Sequence, residues 1–223
     1  MKKFVKSTPI LKALALRLRR MIPRDSEFFP GSEEYWKKRY DEGGDSGAGS
    51  YNKLAEFKAE VVNSFVESNS IRTVIEYGSG DGNQLKLAIY PSYIGFDVSP
   101  KAIEVCRHKF ADDCGKVFRL MNEYSGETAE LTLSLDVIYH LTEDEVYEAY
   151  MKRLFESSEK FVIIYSSDHE EEQRNHERRR KFSDWVIKNV PQWKLLQHIP
   201  NRYPWNGVNE DSSLASFYIY QKT

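Results

Sequence analysis

Short apolar runs alternate with amphipathic stretches along most of this chain. Val74 to Glu76 and Tyr93 to Phe96 have the length and composition of strands, and the residues between them predict a glycine turn followed by a helix. A helix is expected over Pro100 to Phe110, with Ser99 as its cap and Pro100 in its first position. Val117 to Leu120 reads as a third strand and Leu131 to Ile138 as a fourth. Thr142 to Glu156 reads as a helix, with Thr142 as N-cap and Glu145 completing a capping box. Phe161 to Tyr165 is the fifth strand, Lys181 to Asn189 a further helix. Trp193 to Ile199 and Ser216 to Tyr220 are a closing antiparallel pair. Upstream, Ser32 before Glu33 and Glu34 marks a helix start. A second helix, about Lys53 to Glu67, carries an apolar stripe of Leu54, Phe57, Val61, Val62 and Phe65 suited to packing on a sheet. The pattern predicts a doubly wound α/β fold: seven strands, mostly parallel, with helices on both faces and an N-terminal helical extension.

The loop after the first strand narrows the chemistry. It reads VIEYGSGDGN from Val74 to Asn83, with glycines at 78, 80 and 82. Residues without Cβ let the chain turn off a strand and approach a ligand closely. A dinucleotide fingerprint would be Gly-x-Gly-x-x-Gly, delivering a pyrophosphate to a helix N-terminus. Here the third such position is Asn83, and Glu76 stands two residues before the first glycine. That carboxylate repels a pyrophosphate and suits a ligand bearing an ammonium and a sulfonium. Asp97, fifteen residues after Gly82, closes the second strand where a carboxylate accepts hydrogen bonds from ribose hydroxyls. The bland alternative is a glycine turn with two incidental acids.

With these residues in view, the chain from about Val61 onward resembles the class I S-adenosylmethionine-dependent methyltransferases, which have a Rossmann-like sheet. The resemblance implies S-adenosylmethionine as cofactor. It implies that Glu76, Gly78, Ser79, Gly80 and Gly82 form the first motif, that Asp97 with Val98 meets the ribose, and that Asn122 or Glu123 meets the adenine amino group. LTLSLDVIYHL, Leu131 to Leu141, matches the fourth motif, where cofactor and acceptor meet; Leu135 is expected on the cofactor and Asp136 and His140 at the reaction. FVIIYSS, Phe161 to Ser167, matches the fifth strand. Tyr77 departs from the pattern, a smaller aliphatic residue being usual there, and could crowd the methionine end. The closer resemblance is to a bacterial group associated with surface-polysaccharide modification, which implies O-methylation of a small-molecule or glycan-linked acceptor: a sugar hydroxyl, a phosphate or a phosphoramidate.

Composition fits one soluble domain with an appendage: 223 residues, 40% hydrophobic and 30% charged. No run of about 18 apolar residues exists, so no membrane span is expected. Cys106 and Cys114 lack a CxxC spacing, so reduced thiols and no metal site are expected. Charge is uneven. Met1 to Arg24 holds eight Lys or Arg and no acid, leaving 24 basic and 34 acidic residues elsewhere. Ile10, Leu11, Leu14 and Leu18 give that basic segment a helical stripe, suited to a membrane surface or a partner protein. The acidic remainder argues against nucleic-acid binding. Residues 1–30 are read as this extension and 31–223 as the catalytic domain of a cytoplasmic protein, peripheral to the inner membrane face if the extension docks there.

Within residues 31–60, four glycines between Gly43 and Gly49 sit among Tyr35, Trp36, Arg39, Tyr40 and Tyr51. The segment reads as a lid over the cofactor, with Tyr40 and Ser50 as acceptor contacts, or as a plain linker. His140 is the candidate base, with a structural histidine as the alternative; Asp136 orients either the cofactor or His140, and Tyr139 is a pocket wall or a core aromatic. Asp168 and His169 are further candidates at the same sheet edge. Arg174, Arg178, Arg179, Arg180 and Lys181 suit an anionic acceptor or simply a solvated face. Tyr203 and Trp205 suit stacking on a sugar. A second reading of the whole chain is a non-catalytic cofactor-binding module that docks to a glycosyltransferase or membrane partner.

Overall fold

The computed structural model describes residues 29–207 and 211–223. The basic stripe of residues 1–24 lies outside them. Helix α1 spans Ser32–Asp41 and α2 Asn52–Ser68; β1 is Thr73–Tyr77, β2 Ser92–Asp97, α3 Pro100–Lys109, β3 Lys116–Leu120 and β4 Ala129–Leu135. Helix α4 is Asp144–Glu156 and β5 Ser158–Ser166. Then come a small hairpin, β6 (Glu171–Arg174) and β7 (Glu177–Arg179), helix α5 (Phe182–Asn189), β8 (Trp193–Ile199) and β9 (Ser216–Lys222).

Seven strands form one sheet in the order β3-β2-β1-β4-β5-β9-β8. The first four pairings are parallel, and β9 runs antiparallel to both β5 and β8. Strand order reverses between β1 and β4. That switch point opens a crevice at the carboxyl ends of the strands.

The two-residue period of the strands sorts side chains to two cores. Val74, Leu131, Leu133, Ile163 and Phe217 face one core with Phe57, Val62 and Phe65 of α2. Ile75, Tyr77, Val162 and Ile164 face the other with Met151, Leu154 and Phe155 of α4 and Phe182 of α5. Tyr77 therefore points away from the glycine loop. Its ring stacks on Phe96 at 5.5 Å and its hydroxyl donates to Ser157 Oγ at 2.9 Å, so it does not crowd the crevice.

Several local expectations are corrected. The helix expected between β1 and β2 is one 3-10 turn, Gln84–Leu87. Only nine residues separate Gly82 from Ser92, and two polar side chains among them bond α2 and the turn before it: Asn83 Nδ2 donates to Ser50 O and Gln84 Nε2 to Ala55 O. Strand β4 ends at Leu135. Asp136 takes φ 61°, which ends the extended run, and Ile138–His140 is a 3-10 turn. Helix α4 begins at Asp144 without a side-chain cap. Thr142 and Glu143 serve α1 instead. Glu143 accepts the Ser32 N–H at 2.8 Å, and Ser32 Oγ accepts the Thr142 N–H at 3.0 Å. Ser32 is thus the first helical residue of α1, behind Gly31. The charged run after His169 is a hairpin, because alternating Glu and Arg face each other across it: Glu171 opposite Arg179, Arg174 opposite Glu177.

Leu133 is fully buried at the centre of the sheet. Leu133→Ala should cost about 2–5 kcal/mol, read as a lowered urea midpoint with an unchanged slope.

Candidate active site

A cavity of about 390 Å³ lies at the switch point, lined by the glycine loop, the ends of β2 and β4, and side chains of α1 and α2. Gly78, Gly80 and Gly82 have φ of 85°, 57° and 71°, a region that disfavours any side chain. Space excludes one too. A Cβ on Gly80 would stand 2.3 Å from Ser46 Oγ, and one on Gly82 2.9 Å from Cys106 Sγ. Gly78 and Gly80 line the cavity; Gly82 packs behind it. Ser79 Oγ is buried without a protein partner.

Two buried carboxyls flank the loop. Asp97 accepts the N–H groups of Gly80 and Ser99, each at 2.9 Å. Burial nevertheless raises its pKa. Glu76 accepts from Tyr93 Oη at 2.6 Å. Burial pushes it up to about 7, against the opposing pull of that hydrogen bond and of the Lys58 charge. Val98 and Leu135 line the cavity beside them.

Lys58 is a member of the site that no sequence motif marks. Its side chain is 1% exposed, its Nζ lies 2.6 Å from Asp136 Oδ2, and it reaches the cavity wall. Asp136 Oδ1 accepts from Tyr139 Oη at 3.0 Å, which turns Tyr139 away from the cavity lining. The signal was present. Lys58 stands four residues after Leu54 and seven before Phe65, inside the apolar stripe of α2.

The glycine-rich segment lies against the glycine loop. Arg39 donates to Asp45 O at 2.7 Å, Tyr40 Oη and Ser46 Oγ are 2.9 Å apart, and Ser46 Oγ accepts the Asp81 N–H at 3.0 Å. Tyr51 Oη donates to Asp81 at 2.8 Å. Tyr40, Ser46, Ser50 and Trp36 all line the cavity. Ser46, Tyr51 and Asp81 build this clamp, which joins the lid segment to the glycine loop across some thirty positions of sequence.

His140 lines the same wall. Its Nδ1 sits 3.2 Å from His176 O, and burial together with His176 pushes its pKa down to about 3. It is neutral at pH 7.

Other candidates lie elsewhere. Asn122 and Glu123 are exposed, Glu123 bonding the Leu120 N–H, and Met121 lines the cavity in their stead. His169 is exposed beside Glu171, and Asp168 accepts from the Ser183 N–H. Arg178 and Arg180 both bind Asp144 and Thr142 O, and Arg179 binds Glu171 and Glu177. Arg178 and Arg180 thus tie the end of the hairpin to α4, and Arg179 ties its two strands together, none of them lining the cavity. Tyr203 packs edge-on against Phe57 with Lys53 over its ring, outside the cavity, and Trp205 is half exposed.

No family model matches the chain, and no curated protein matches its sequence. Solved structures do match its fold. The N-methyltransferase NodS of Bradyrhizobium japonicum, with S-adenosylhomocysteine, superposes with a TM-score of 0.64 at 11% identity, covering 86% of this chain and 98% of that one. Magnesium protoporphyrin IX methyltransferase of Synechocystis, also with S-adenosylhomocysteine, gives 0.63 at 12% identity with the same coverage. The methyltransferase domain of the bacterial Hen1 protein gives 0.58 at 18% identity, covering 74% and 96%. The seven-stranded order, the glycine crevice and these superpositions together give the chain the Rossmann-like fold of the S-adenosylmethionine-dependent methyltransferases.

Proposed function

We propose that this protein is an S-adenosylmethionine-dependent O-methyltransferase for a small-molecule or glycan-linked acceptor, a sugar hydroxyl or a phosphate or phosphoramidate group on a surface-polysaccharide precursor. The observation that carries the cofactor reading is the combination of buried Glu76, buried Asp97 and the orphaned Ser79 hydroxyl around glycines that leave no room for Cβ. These residues fit the cofactor. Glu76 and the glycine loop would hold its methionine end, Asp97 and Val98 its ribose, and Met121 and Leu135 its base. When bound, it supplies a methyl carbon activated by a positively charged sulfur.

The chain's own residues align the acceptor. Trp36 and Tyr40 offer flat apolar faces beside the cavity, which suits a sugar ring. His140 offers a neutral ring nitrogen. Its low basicity makes it an orienting hydrogen-bond acceptor for the incoming hydroxyl more than a proton store. Asp136 is held by Lys58 and Tyr139, so its carboxylate is fixed at the edge where acceptor and cofactor meet. A small acceptor is favoured over nucleic acid because the arginines of the hairpin are spent on carboxylates and carbonyls, leaving no free basic face there. Among the described residues, no helix is long and apolar enough to cross a membrane.

Three outcomes are expected. Glu76 is protonated in the empty site below about 7, and a bound cation favours its ionised form. Cofactor affinity should therefore rise between pH 5.5 and 7.5, a range below the titration of an α-amino group near ~8. Calorimetry should find protons released on binding, and Glu76→Gln should flatten the profile; a flat profile in the unaltered protein would remove Glu76 from the cofactor site. Lys58→Met leaves Asp136 facing an apolar chain and should cost roughly 3–5 kcal/mol in urea unfolding, with part recovered on adding Asp136→Asn. Incubation of the protein with bacterial extract and methyl-labelled cofactor should put label on sugars or phosphorylated glycan intermediates. Label confined to RNA or protein would overturn the acceptor class.

A further inference from the structure

We propose that His140, His176 and Glu177 form a binding site for a divalent transition-metal ion of the zinc type, beside the cavity. Each residue offers one ligand atom, and these atoms all lie within 4.8 Å of one another. A tetrahedral ion with ligand bonds of about 2.1 Å needs donors roughly 3.4 Å apart, so binding would tilt the His140 and His176 rings out of their parallel stack, 5.2 Å between centroids. Two imidazoles and one carboxylate are the three-ligand combination that zinc uses when it keeps a position open. The nitrogen donors disfavour magnesium and calcium, which take oxygen.

The surroundings support the ligands as well as the ligands support one another. The His140 ring is oriented by the contact of its Nδ1 with the His176 carbonyl, which leaves Nε2 for an ion. Tyr35 stacks on His176 at 4.4 Å, and Trp36 meets His140 edge-on at 5.0 Å. These rings give the cluster an apolar collar. Arg179 binds one oxygen of Glu177 at 2.7 Å, which fixes the carboxylate and leaves the second oxygen to ligate. The three residues come from two separate parts of the chain. His140 closes the turn after β4, while His176 and Glu177 belong to the β6–β7 turn and strand. Asn175, at φ 54°, makes the tight turn that carries His176 back toward β4. Arg39 and Arg179 lie near the imidazoles and oppose a cation, which calls for a transition metal whose ligand bonds are strong. His140 also lines the cavity, so a bound ion would take the ring nitrogen that otherwise faces the acceptor hydroxyl and would itself be in reach of that oxygen. That consequence rests on the methyltransferase reading, whereas metal binding itself does not.

The test uses the full, untagged chain, stripped with a chelator and dialysed, without cofactor. Zinc chloride is titrated by calorimetry and cobalt chloride by visible absorption. One equivalent should bind, with cobalt bands of a low-coordinate ion. His176→Ala and Glu177→Gln should each weaken binding at least tenfold, with unchanged far-UV circular dichroism. His169→Ala and His198→Ala should leave it unchanged. If His176→Ala fails to fold because Tyr35 loses its stacking partner, the isosteric Glu177→Gln carries the test. Absence of a one-equivalent site, or unchanged affinity in Glu177→Gln, overturns the proposal. Cofactor binding that persists in that event leaves the methyltransferase reading standing.

Discussion

Two carboxyls and one ammonium are buried within one crevice, and the surrounding structure is organised to tolerate them. An isolated charge in an apolar interior is costly unless paired or hydrogen-bonded. Asp97 meets this demand with backbone N–H groups of the glycine loop and of the turn after β2. Lys58 meets it with Asp136. Glu76 has a single phenol donor, and burial wins there. The imbalance at Glu76 is what a cationic ligand would relieve, so the feature that weakens the free protein is the one that suits binding.

The glycine loop depends on the same economy. Its N–H groups reach Asp97 and Phe96 O only because the chain takes left-handed φ at alternate residues. Ser46 and Tyr40 then sit where side chains would otherwise stand. The α1 segment therefore completes the cavity wall using space that the glycines vacate. Sequence, backbone shape and packing are linked at each step.

Much of this was legible in the chain. A mostly parallel α/β sheet follows from apolar runs alternating with helical stretches, and Glu76, Gly78, Gly80 and Asp97 sit within one continuous stretch where spacing carries meaning. Legibility failed where partners are distant in sequence. Lys58 finds Asp136 across 78 positions, and Ser32 finds Glu143 across 111. The hairpin has no apolar alternation at all. Its strands are held by facing charges, which read equally well as a solvated helix, and so His176 could not be brought to His140. Asn122 and Glu123 have the polarity that suits an adenine amino group, whereas the apolar Met121 of the same turn lines the cavity.

Asp136 combines two requirements that few residues meet together. Its left-handed backbone admits glycine, asparagine and aspartate most readily, and only aspartate among these also balances the Lys58 charge. A change at either position is therefore tolerated only with a matched change at the other, and the route between acceptable pairs passes through a stranded charge. Drift at this corner of the sheet is confined to a narrow track.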